Sequence, residues 1–228
     1  LDRFSRYGDR KTGYGNLDAK MSLYPGLYVL GAISSLGKTT FCGQMADQLA
    51  FAGEHVFYFS LEQTRLELVT KGLSRLMAQA DMRSALTSME IRRGIKSEAL
   101  KVAREVYVLR GKNEYIVECG FDANVEVIVG TVKDYISRTG VKPVVMVDYL
   151  QIITPVSTHQ TTKDVVDTHV RRLKQLQSDN KLALIVISSL NRQNYLTQID
   201  YESFKESGGI EYTADVVWGL QLSVMNDD

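Results

Sequence analysis

The run Val29–Phe41, VLGAISSLGKTTF, places the tripeptide Gly37-Lys38-Thr39 between an apolar stretch and a segment with helical spacing. That arrangement suits a loop that cradles phosphates. Its backbone N–H groups and the helix N-terminus would form a positive concavity. Lys38 would reach the β- and γ-phosphates of a nucleotide, and the Thr39 hydroxyl would hold Mg²⁺. Ser35, Gly37 and Thr40 complete the expected cradle. The pattern G-x-x-x-x-G-K-[ST] calls for its first glycine at position 32, which is Ala32; Gly31 stands one residue early. Ala32 fits if its backbone geometry is ordinary, whereas Gly37, beside the phosphates, is harder to replace. The competing reading is a plain strand–turn–helix carrying a surface lysine.

Two carboxylates could complete such a site. Asp148 follows the apolar run Val144–Val147, at a strand's carboxyl end, where α/β sheets bind ligands. There it could hold the water shell of Mg²⁺, or it could simply be a turn acid. Glu62 closes the run FYFSLEQ and could polarise an attacking water, or favour the helix start that follows it. In LIVISSLNRQ, the polar residues Ser188, Ser189, Asn191 and Arg192 could sense a γ-phosphate or merely cap a loop. His55, His159 and His169 show no ligand spacing, so solvent or structural roles are expected. The Arg171–Lys174 run reads as a solvated helix face. Met77, Met82, Met89 and Trp218 read as packing residues.

These groups need elements to position them. Strands are predicted over 27–33, 55–61, 143–153, 182–190 and 214–224, with a short one at 106–110. Helices are predicted over 38–52 with Gly53 as the stop, 97–106, 125–138 and 161–180. A further helix runs from the Thr64/Glu67 capping box toward Ala80. Residues 81–96 read as irregular. Strands apolar on both faces and separated by helices imply an α/β domain: a mostly parallel, twisted sheet with helices on both faces. Residues 1–25, with turns at Gly13, Gly15 and Pro25-Gly26, read as an entry or linker segment, and 26–228 as the domain.

The chain has 228 residues and equal numbers of acidic and basic side chains, 27 each, so any contact with a polyanion must come from a local patch. The two cysteines, Cys42 and Cys119, are not spaced as metal ligands, and a reduced, cytoplasmic protein is expected. No apolar run reaches the ~18–20 residues of a membrane span. The first residue is Leu1 rather than Met, so a piece of a longer polypeptide is expected.

In order along the chain, KTGYGNLD, AISSLGKTTF, FSLEQ, VDYLQII, SSLNR and KESGGIEYTADVV resemble the ATPase domain of DnaB-type replicative helicases, in the RecA-like superfamily. The match covers most of the chain, with a weak middle at 81–140. DYLQ, LNR and the ESG-IE-AD series carry its specificity. The resemblance implies a P-loop NTPase domain using ATP and Mg²⁺. Lys38 and Thr39 are then phosphate and metal ligands, Asp148 the Walker-B acid and metal ligand, Glu62 the catalytic base, and Asn191 part of the nucleotide site. It implies a ring, expected to be a hexamer, moving on single-stranded DNA held by Lys205, Glu206 and Gly208, with primase and a loader as possible partners. Alanine is common in this family where Ala32 stands.

The sequence also departs from the family. Ser189 replaces its usual glutamine, and Lys71 and Lys205 replace arginines, which keeps charge and loses the bidentate fork. The family's later strands, with the basic residues reaching a neighbour's nucleotide, would follow Asp228. Two rival readings remain. One is a nucleotide-switched assembly or loader module; the other is a recombinase- or clock-type ATPase, against which DYLQ and ESGGIE argue.

Overall fold

Val144, Val145, Met146 and Val147 are all fully buried, which requires a strand covered on both faces. The structure is a computed structural model. It describes residues 10–120, 124–150, 153, 162–190, 203–204 and 208–221. Among these residues, six strands form one sheet: β1 (Gly26–Ala32), β2 (Val56–Ser60), β3 (Glu114–Glu118), β4 (Val144–Asp148), β5 (Ala183–Ser189) and β6 (Val216–Leu220). Their order is β3-β2-β4-β5-β1-β6, and every pairing among them is parallel. The chain therefore leaves β1 and crosses two strand positions to reach β2, which opens a crevice at the carboxyl ends of the central strands.

The helices are α1 (Gly15–Asp18), α2 (Lys38–Phe51), α3 (Arg65–Ala80), α4 (Ser88–Arg92), α5 (Glu98–Arg110), α6 (Val125–Thr139), α7 (Thr162–Asn180) and α8 (Gly208–Thr213). On one face of the sheet, Val29, Phe59, Val147 and Val186 pack against Ile128 and Val132 of α6 and Val170 and Leu173 of α7. On the other, Leu30, Tyr58, Met146 and Ile185 pack against Cys42, Met45 and Leu49 of α2. A smaller core of Leu73, Met77, Leu100 and Ala103 joins α3 to α5. The entry segment is tied down as well. Asp18 accepts bonds from the Thr12 amide and hydroxyl, both at 2.7 Å, and Tyr14 stacks on Phe41 with ring centroids 4.3 Å apart.

Most predicted elements stand within a few residues of their expected limits, and the Thr64/Glu67 capping box opens α3. Three expectations need correction. The strand expected at 106–110 is the end of α5, because Tyr107 turns back to bond Asp47 at 2.9 Å and pack on the Phe51 ring. The strand of this region is β3, an edge strand with a glutamate at each end in which Ile116 alone is buried, so its apolar signal is weak. Residues 81–96 contain α4, opened by a second capping box, Thr87/Glu90.

Packing expectations divide similarly. Met77 is buried, but Met82 and Met89 are exposed. Trp218 lies on edge strand β6, half-buried against Tyr28. In the 171–174 run, Arg172 pairs with Glu126 and Lys174 with Asp215, so two of its cations hold neighbouring elements. His55 lies just before β2, within reach of the Tyr115 and Tyr135 hydroxyls, and His169 is buried; His159 lies outside the described residues. Cys42 and Cys119 are free thiols.

Candidate active site

β1 ends at Ala32 and α2 begins at Lys38, so the connecting loop lies at the carboxyl edge of the sheet. Gly37 is the residue before the helix, with φ 95° and ψ 21°. This left-handed geometry costs glycine least, and glycine offers no side chain to occupy the first amides of α2. Ser35 also has positive φ, at 64°. The Lys38 ammonium folds over the loop and donates to the carbonyls of Ala32 (3.0 Å) and Ile33 (3.1 Å). Burial lowers its pKa, while Asp148 and Glu62 act in the opposite direction. Ala32 itself is a fully buried strand residue paired with Ser189, in ordinary extended geometry.

Asp148 ends β4 opposite Ser60 of β2 and is almost fully buried. Tyr58 donates its hydroxyl to Oδ2 of Asp148 at 2.7 Å. Burial raises the Asp148 pKa; hydrogen bonds from Tyr58 and Thr39 counter this, Glu62 adds to it, and Lys38 offsets it. The peptide bond after Asp148 is cis.

Glu62 follows β2 in a turn closed by Ser60, whose hydroxyl donates to the Gln63 carbonyl at 2.5 Å. The turn leaves Glu62 exposed. Lys71, in the first half of α3, donates to Oε1 of Gln63 at 2.8 Å.

These segments enclose a cleft of about 350 Å³. Ser35 and Gly37 line it from the loop, Lys38, Thr39 and Thr40 from the start of α2, Asp148 and Tyr149 from the end of β4 and the residue after it, Glu62 and Gln63 from the β2 turn, and Ser189 from β5. Its size falls within the range of small-molecule sites. One carboxylate and one hydroxyl are hard oxygen donors of the kind Mg²⁺ takes. Among the described residues, no group of three or more His, Cys, Asp or Glu could instead form an all-protein metal cage.

Eight of the expected residues, Ser35, Gly37, Lys38, Thr39, Thr40, Glu62, Asp148 and Ser189, thus meet in one cleft. Ser188 is buried in β5, and Gly208 is the first residue of α8. Asn191, Arg192, Lys205 and Glu206 lie outside the described residues. Sequence reasoning missed Gln63, Tyr149 and the placement of Lys71. It also missed Tyr58, because a tyrosine inside an apolar strand looks like core.

The family model described as DnaB-like helicase C terminal domain matches residues 10–226. The chain belongs to that family. Among curated relatives, the replicative DNA helicase DnaB of Haemophilus influenzae is 27% identical over 224 residues, covering 95% of this chain and 47% of that protein. That of Buchnera aphidicola subsp. Baizongia pistaciae is 29% identical over 216 residues, covering 90% and 45%. The chain therefore spans less than half the length of these relatives. Among solved structures, one described as an ATPase domain superposes with a TM-score of 0.80 at 21% identity, covering 99% of this chain and 81% of that one. A DnaB-like replicative helicase, described together with its interactions with primase, superposes at 0.83 with 20% identity, covering 97% and 56%. Both likenesses support the RecA-like α/β fold. No helix among the described residues is long and apolar enough to cross a membrane.

Proposed function

We propose that this chain is the ATP-hydrolysing motor domain of a replicative DNA helicase, in which hydrolysis drives movement along single-stranded DNA within a ring. The observation that carries this reading is the meeting of Lys38, Thr39, Glu62 and Asp148, from three separate segments, in one cleft at the carboxyl edge of the sheet. The family's name and the relatives' names agree with it.

In this reading the chemistry is phosphoryl transfer to water. Lys38 exchanges its carbonyl partners for β- and γ-phosphate oxygens and neutralises charge there. The amides at the start of α2 bind the same phosphates. Thr39 and Asp148 would hold Mg²⁺, which would supply Lewis-acid stabilisation of the charge developing on the phosphates. Glu62, exposed to the cleft, takes a proton from the attacking water and orients it. Lys205, Glu206 and Gly208 are the proposed contacts to the DNA backbone, and Asn191 the proposed γ-phosphate sensor. A hexameric ring, primase and loader partners and a cytoplasmic setting belong to this proposal, as does the division into an entry segment (1–25) and a motor domain (26–228).

One observation favours a second reading. Ser189 lines the cleft with a short side chain, which suits a nucleotide-switched assembly module with weak coupling of hydrolysis to DNA. Mg²⁺-dependent ATPase activity with and without single-stranded DNA, beside strand displacement by the full-length protein, tests both. DNA-stimulated hydrolysis with unwinding supports the motor. ATP binding without turnover supports the switch. Absence of ATP binding overturns both.

A further inference from the structure

Tyr58 is the anomaly of β2. The strand's other aromatics, Phe57 and Phe59, pack on the opposite face of the sheet in a largely apolar cluster. Tyr58 lies among Leu30, Met45 and Met146, where a phenylalanine would bury as well, and it is 1% exposed. A hydroxyl taken out of water in such surroundings needs a partner, since a buried unpaired hydroxyl loses its hydration with nothing in return. Its partner is Oδ2 of Asp148, at 2.7 Å. The sheet register explains how they meet. Tyr58 pairs with Met146, and Asp148 is two residues further along the same face, a diagonal neighbour that an aromatic side chain can reach. Asp148 is itself 1% exposed. It is a buried carboxylate lining the cleft, with Tyr58 approaching from the sheet side and Thr39 from the start of α2.

We propose that Tyr58 is a positioning residue for Asp148: its hydroxyl engages Oδ2, fixes the carboxylate's rotation and leaves Oδ1 to serve a divalent cation in the cleft. This rests on the reading of Asp148 as a Mg²⁺-binding acid. Without the phenol, the carboxylate has one fixed partner fewer and can turn about its χ2 bond, a broad torsion for aspartate. Metal binding, which depends on where the oxygen points, then weakens. Nucleotide binding in the absence of metal, which depends on the loop and Lys38, does not.

The test uses Tyr58→Phe, which keeps the ring and its packing and removes only the hydroxyl. A fluorescent ATP analogue is titrated in EDTA and across a Mg²⁺ series, with thermal melting as the check on folding. The expected result is an unchanged affinity in EDTA and a Mg²⁺ midpoint raised about tenfold, the lower end for a hydrogen bond to a charged group. An unchanged midpoint, or equal losses in EDTA and in Mg²⁺, overturns the proposal. Phe59→Leu perturbs packing on the other face of the same strand and should leave the midpoint in place; a tenfold shift there would mean that packing alone moves it, and would also overturn the proposal. Asp148→Ala separates the two layers of the argument. If it abolishes the Mg²⁺ dependence while Y58F changes nothing, only the role of Tyr58 falls. If it leaves the dependence intact, the assignment of Asp148 falls and that of Tyr58 with it.

Discussion

The ring of Phe204 occupies the space that a side chain on Gly31 would need. Leu190 closes the same space, with Cδ2 2.7 Å from the ideal Cβ position. Gly31 is therefore a packing glycine rather than a phosphate-loop glycine displaced by one residue, and Ala32 is an ordinary strand residue. Gly31→Ala should cost about 1–3 kcal/mol, as overpacking of a filled core does. Ala32→Gly should keep its nucleotide affinity and lose only about 0.5–1 kcal/mol of stability, because glycine weakens a strand. Urea denaturation beside nucleotide titration checks the pair; a neutral G31A would show that Phe204 can move aside.

Lys38 sits with its ammonium on the carbonyls of Ala32, the last residue of β1, and Ile33, and lines the cleft. Lys38→Ala removes that cation from the cleft. Turnover should fall about 10²–10³-fold, the scale for losing one group that stabilises developing charge. Melting should change little, since the Ala32 carbonyl keeps the Leu190 amide as a donor at 3.3 Å and Ile33 is only partly buried. Steady-state ATPase assays decide; wild-type rates in this variant would return the loop to a plain strand–turn–helix.

Local chemistry was readable from the sequence, and tertiary chemistry was not. The Thr64/Glu67 box, the Gly37-Lys38-Thr39 junction and the apolar run before Asp148 each announce themselves within a few residues, and each stands as expected. β3 was missed because an edge strand with glutamates at both ends has little apolar signal, while Val106–Arg110 has more and is helical. Tyr58, Phe204 and Gly31 are intelligible only through partners that are 90, 173 and 159 residues away in the chain for Tyr58–Asp148, Gly31–Phe204 and Gly31–Leu190 respectively. The register that brings Tyr58 to Asp148 belongs to the sheet, and no spacing within β2 encodes it.

Glu62 is held at the mouth of the cleft by the Ser60–Gln63 turn, with Lys71 fixed to Gln63 beside it. Glu62→Gln preserves shape and removes basicity. Nucleotide affinity should be retained and hydrolysis should drop about 10²–10⁴-fold. Comparing ATP binding with single-turnover hydrolysis separates the two quantities. Parallel losses in both would assign Glu62 to the turn and the start of α3 instead.

Behind α2, a second polar cluster has no part in the cleft. Asp47 pairs with Arg75 and accepts from the Tyr107 hydroxyl, which also reaches Oε2 of Glu114 at 3.2 Å. Burial pushes the Glu114 pKa up to about 7, outweighing the Tyr107 hydrogen bond and the Arg75 charge. A carboxyl raised in the folded state from an ordinary 4.5 binds its proton more tightly folded than unfolded. Its contribution is fully present below about pH 4.5 and is lost as pH rises toward about 7, above which the buried charge persists. Glu114→Gln keeps an acceptor for Tyr107 and cannot ionise. It should flatten the stability profile across that window and gain about 1–3 kcal/mol over wild type at pH 8, less than the full shift would give because Glu114 retains some contact with solvent. Urea denaturation at pH 5, 6, 7 and 8 measures both slopes. If the variant and wild type fall in parallel, Glu114 is ionised throughout and the Arg75 charge, not burial, governs it.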